Sequence, residues 1–131
     1  MKFNIDIIFS TLATFFIYFL GGWDINIKVV IGVIVIDFIT GILSAIKNKE
    51  LSSKIGASGI INKIMYFLLI SLGVLLDLVF NSDHVIRNVC CYFIIANEGI
   101  SIIENMIKCG IPVPNIIKEK LEQLKNLDKE D

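Results

Sequence analysis

Residues 27–46 read IKVVIGVIVIDFITGILSAI, and this stretch decides the fold class. A membrane-spanning helix needs roughly 20 mostly apolar residues, and this run supplies seven Ile, four Val, one Phe and one Leu. Each of those contributes about -0.3 to -0.6 kcal/mol on an insertion scale, against about +2.5 to +3.5 kcal/mol for Asp37 near the centre. The apolar residues win, so the segment inserts and carries its carboxylate with it.

Working outward, residues 64–80 (IMYFLLISLGVLLDLVF) make a second span, with Lys63 at one end and Asp77 near the other. Residues 85–103 make a weaker one because they carry Arg87 and Glu98. Arg87 lies at the segment edge, from which a long cationic side chain snorkels to the headgroups. Residues 7–23 are just long enough to cross, with Ser10, Thr11 and Thr14 on one side and Trp23 at the interfacial end. Lys2 is offset by Asp6, and Leu20-Gly21-Gly22 fits a small-residue cleavage site poorly, so a retained helix is expected rather than a signal peptide. The connection 47–62 is the longest, and Gly56, Gly59 and its serines are expected to break any helix there. Residues 81–84 read as a tight turn, with His84 solvated.

After Gly110 the character changes. Gly110-Ile-Pro112-Val-Pro114 stops one helix, and Asn115 is placed to cap the next. Ile117, Leu121, Leu124 and Leu127 then recur at helical spacing among Lys and Glu, predicting a short amphipathic helix that lies on the membrane or against another copy. The expected architecture is an all-α integral membrane protein: three to four transmembrane helices in a membrane domain over residues 1–109, then a cytoplasmic amphipathic helix and charged tail over 110–131.

Composition agrees. Of 131 residues, 55% are apolar and 19% charged, beyond what a soluble domain of this size buries. A net charge of -1 provides no basic face for nucleic acid. One His and three Cys make no recognisable zinc site, and Cys90, Cys91 and Cys109 read as reduced, small apolar side chains. No cofactor, metal or small-molecule substrate is expected. Nor is an enzyme: no Ser–His–Asp set, glycine-rich phosphate loop or His pair is present. Lys and Arg set orientation. With four spans and the N-terminus inside, ten Lys, among them Lys47, Lys49, Lys54, Lys63 and Lys108, lie on the cytoplasmic side and only Lys28 and Arg87 outside. If the first segment merely lies on the membrane, the count is nine against three, with the C-terminus still cytoplasmic.

Ionisable groups inside a span mark function by default. Asp37, Thr40, Gly41 and Ser44 form a polar stripe, and Gly41 with Ala45 makes a small-xxx-small pair. The stripe suits a surface that lines water when copies associate, or a seam between helices. Asn97, Ser101, Glu104 and Lys108 make a second stripe, with Glu98 one residue off it. A neutral Glu98 is the low-cost state in lipid or a dry seam, unless the helix already emerges into water at Asn97.

Two blocks of sequence resemble the toxin-secretion/phage-lysis holins of clostridia and related Gram-positive bacteria. One is Asp37-Phe-Ile-Thr40-Gly41-Ile-Leu-Ser44-Ala45-Ile-Lys47 with Leu51-Ser-Ser53, Gly56, Gly59 and Lys63. The other is Asn97-Glu98-Gly99-Ile-Ser101-Ile-Ile-Glu104-Asn105 with Gly110-Ile-Pro112-Val-Pro114 and the helix behind it. The resemblance implies an inner-membrane homo-oligomer that opens lesions at a set time, releasing an endolysin or a large toxin without needing to touch it. It carries no catalytic or ligand residues. Two other readings stay open: a small proton-coupled multidrug-type transporter built around Glu98, and an antiholin that restrains a partner.

Overall fold

The computed structural model describes residues 2–127. They form five helices: α1 (Lys2–Phe19), α2 (Ile25–Lys47), α3 (Ser53–Phe80), α4 (Val85–Lys108) and α5 (Asn115–Asn126). Three of these, α2, α4 and the Gly56–Phe80 part of α3, are long and apolar enough to cross a membrane. The apolar stretch of α1, Asn4–Phe19, is shorter.

α2 and α4 run side by side in the same direction. Asn26 bonds Asn88 at one end, and the Lys47 ammonium donates to the Cys109 carbonyl at the other, each pair 62 residues apart in sequence. From Asn26 to Lys47 the helix rises roughly 31 Å at ~1.5 Å per residue, about the thickness of a bilayer's hydrocarbon core. α3 runs antiparallel beside them, and α4 is enclosed by α2, α3 and α5. Leu20, Ile27, Val30, Ile70, Cys91 and Ile94 form the core. The outer faces stay apolar, with Phe38, Leu43, Leu68 and Leu72 exposed, as lipid contact requires. α1 leans on this bundle mainly through Phe16 against Phe67, ring centroids 5.6 Å apart, and its Ser10, Thr11 and Thr14 hydroxyls donate to carbonyls four residues back.

Several boundaries differ from expectation. α1 ends at Phe19, not Trp23, because the chain reverses through Gly21 and Gly22 at φ 78° and 114°. α3 begins at Ser53, so the connection expected over 47–62 shrinks to a few residues. Gly56 and Gly59 sit inside the helix with open space where a Cβ would be. Glycine weakens a helix by ~1 kcal/mol, but at membrane depth the intrahelical partner is the one available to each N–H. α4 runs unbroken to Lys108, past the end of the expected 85–103 segment. Asn115 does not cap α5: the cap position is Pro114, and Asn115 is the first helical residue. α5 itself packs along α4 of its own chain.

Candidate functional site

Halfway along α2, Asp37 is buried against α3 and α4. Lys63 of α3 reaches it: its ammonium lies 2.5 Å from Asp37 Oδ2 and 2.6 Å from Glu98 Oε2 of α4. The three side chains are 16%, 11% and 4% exposed, so two carboxylates and one ammonium share a sheltered site roughly 16 Å from Asn26 along the α2 axis. Asn105 adds an amide that donates to Asp37 Oδ1 (3.4 Å) and Thr40 Oγ1 (3.2 Å), while Thr40 Oγ1 donates to the Asp37 carbonyl. Each of three helices contributes a charge, which ties them at one height.

The remaining members of the α2 stripe follow the same seam. Gly41 faces α4, where an added Cβ would sit 3.6 Å from the Asn105 amide. Ser44 is buried and its carbonyl accepts from Asn48 Nδ2 at 2.9 Å. Ala45 is half-buried beside a cavity of about 320 Å³. That cavity reaches from Asp37 and Lys63 to Glu50, Ser52 and Lys108 at the end of the bundle. On the α4 stripe, Asn97 donates to the Tyr66 hydroxyl at 3.3 Å. Ser101 borders both the first cavity and a second of about 380 Å³, which Glu104 also lines from an exposed position. Glu98 therefore departs from its stripe toward Lys63, and this ion pair compensates its burial.

A second ionic cluster lies near the opposite end. Arg87 does not snorkel to the surface; it is fully buried. Its Nε donates to the Leu20 carbonyl at 2.7 Å, and its two terminal nitrogens grip Asp24, one at 2.9 Å. The Gly21 turn makes room, since a Cβ there would meet Arg87 Nε at 2.9 Å. Asp24 also caps α2 by accepting from Ile27 N. Those bonds, chiefly the Arg87 guanidinium, hold the Asp24 carboxyl below its ordinary value. Asp77 caps α4 from α3, accepting from Ile86 N (2.9 Å), Arg87 N (2.8 Å) and Ser82 Oγ. His84 is exposed in the turn with φ 66°.

Lys63, Arg87, Asp24, Asp77 and Asn105 complete clusters that sequence reasoning only half anticipates. Lys63 is counted there with the cytoplasmic lysines, although Ile60 and Ile61 before it and Ile64 after it signal a position inside the span. Among the described residues every buried side-chain nitrogen or oxygen has a partner, and no group of three His, Cys, Asp or Glu is placed to hold a metal. The arrangement can hold charge out of water and fix three helices in register; it presents no activated nucleophile.

Residues 14–126 match the Bacteriophage holin family. The chain belongs to that family. The matched residues include both ionic clusters and α5. A holin-family assignment makes it a multi-pass membrane protein and points away from an enzyme. Among similar proteins, the "Probable holin" of Bacillus phage phi105 is 34% identical over 92 residues, covering 70% of this chain and 68% of that one. An "Uncharacterized 14.9 kDa protein in nagH 3'region" of Clostridium perfringens is 39% identical over 117 residues, 88% and 89% of the two chains. The "Uncharacterized protein YqxH" of Bacillus subtilis is 32% identical over 118 residues, 90% and 84%. No solved structure matches.

Proposed function

We propose that this chain is a lesion-forming holin of the bacterial cytoplasmic membrane, which assembles with copies of itself and opens a path for an endolysin or a large toxin. The observation that carries this is the family match over residues 14–126, from the last turns of α1 through α5, together with the likeness to the phage phi105 protein. The apolar outer faces of α2 and α3 supply surface for lipid or a second copy. Lys47, Lys49 and Lys108 gather where α2 and α4 end, which favours a cytoplasmic location for that end. α1 joins the bundle as a further membrane-embedded helix, with the N-terminus at the same cytoplasmic end.

Within each protomer, the seam of Asp37, Thr40, Gly41, Ser44 and Ala45 with Glu98 holds the helices in one register, and Asn97, Ser101 and Glu104 edge the cavity beside it. The transporter reading loses ground, because Glu98 is engaged by Lys63 rather than standing free to exchange protons and cations.

Inducible expression in a bacterium tests the proposal, following optical density and escape of a folded cytoplasmic reporter enzyme. Delayed, abrupt growth arrest with reporter escape is expected. Depolarisation without escape reduces the lesion to a small channel. Continued growth, with delayed lysis when a separate holin is co-expressed, makes the chain an antiholin instead.

A further inference from the structure

α5 is charged at a depth where a membrane helix has apolar neighbours. Leu121 is lodged over Gly99, where an added Cβ would lie 2.6 Å from a Leu121 methyl. Leu124 packs against the core, and with Leu127, Val89, Tyr92 and Phe93 it lines a small cleft between the two helices. Gly99 is well inside α4, so α5 runs back alongside the middle of a spanning helix. Its outward face carries Glu119, Lys120, Glu122 and Gln123, all exposed, with Lys120 Nζ 3.2 Å from Gln123 Oε1. Hydrocarbon against that face would strand the charges, and two half-buried leucines offset little of it. The stripe of α4 that α5 covers is itself apolar and suits lipid when bare. A lone protomer in lipid therefore has no use for α5 in this seat, whereas a protomer facing water does.

We propose that the seated α5 is the wetted wall of the lesion. In the assembly each protomer turns its α4–α5 face to the lumen; the charged side of α5 meets water, and Leu121 and Leu124 shield the apolar stripe of α4. Before assembly the same helix stays in the water at the cytoplasmic end, joined through the 109–114 turn where Gly110 takes φ 81°. This rests on the lesion-forming reading above.

The test uses the full chain in phosphatidylethanolamine/phosphatidylglycerol vesicles loaded with a fluorescent dextran. Cys90, Cys91 and Cys109 are replaced by Ala, and Gly99→Cys and Leu121→Cys are introduced. The Gly99 Cβ position is 3.3 Å from Leu121 Cγ, so the two introduced side chains face each other in direct contact. The expected result is an intrachain disulfide on oxidising opened vesicles, with a second dextran added afterwards still entering. A disulfide that forms before release and blocks it until reduced would show α5 to be a strap on the closed protein and overturn the proposal. So would open lesions that yield no disulfide. In the native-cysteine chain, Glu119→Leu, Glu122→Leu and Gln123→Leu together should leave insertion intact and slow dextran release at least tenfold; unchanged release overturns the proposal as well. Failure of the unmodified chain to release dextran counts instead against the lesion-forming reading.

Discussion

Replacing Lys63 with methionine keeps the length and apolar stem of the side chain but removes the charge that Asp37 and Glu98 share. Its ammonium stands 2.5 and 2.6 Å from the two carboxylates. At an effective dielectric of about 20, each charge pair near 4 Å is worth about 4 kcal/mol. Two attractions of that size, less about 3 kcal/mol for the repulsion of two like charges taken at roughly 5 Å, leave about 5 kcal/mol before desolvation. The side chains are mostly sheltered, so solvent screens little of this. Removing the lysine strands both carboxylates, and a broken buried pair typically costs about 3–5 kcal/mol. Lys63→Met should therefore lower the helical melting temperature in detergent by roughly 10–20 °C. Combining it with Asp37→Asn and Glu98→Gln should recover most of the loss, because neutral hydrogen-bonding groups carry no stranded charge. A single Lys63→Met variant melting within about 3 °C of the parent would refute the reasoning, as would a triple variant no better than the single.

Gly73 sits where an added Cβ would lie 3.0 Å from the Arg87 Cα and 3.1 Å from Cys90 Sγ; backbone cannot yield as a side-chain tip does. Gly73→Ala should cost about 1–3 kcal/mol, measured by the same melting experiment. Asp24 is held below its ordinary value by Arg87, so its contribution is present above the unfolded value near 4 and is lost as pH falls through the lower folded value. The stability gap between the parent and Asp24→Asn should accordingly be full at pH 6 and close as the pH drops below about 4; a gap independent of pH would exclude this assignment. Gly99→Leu should unseat α5 and speed tryptic cleavage at Lys118 and Lys120 at least tenfold in vesicles whose lesions have opened. Gly99→Ala combined with Leu121→Ala should retain protection, and equal cleavage of all variants would argue against the Gly99–Leu121 contact.

Much of this was legible beforehand. The spans at 27–46, 64–80 and 85–103 follow from composition, and all lie within helices of the structure. Asp37 and Glu98 stand out as carboxylates within apolar runs, and the two blocks around them resemble the family to which the chain belongs. The partners are harder to read. Lys63 looks like a span terminus while Gly56 and Gly59 are taken as helix breakers, and Arg87 looks like a snorkelling residue while only its place in the segment is considered. Each is decided by a neighbouring helix: Lys63 by Asp37 and Glu98, Arg87 by Asp24 and the Leu20 carbonyl.

The sequence by itself determined that the chain enters a membrane and which segments are apolar enough to cross, because transfer from water to hydrocarbon depends on the residues of each segment taken one at a time. It also determined that the Asp37 and Glu98 carboxylates enter with them. Only the tertiary structure decided that Asp37, Lys63 and Glu98 meet, that Arg87 is buried, and that α5 folds back on α4. Those outcomes depend on the register of helices separated by many residues, where the cost of an unpaired charge selects the packing that pairs it.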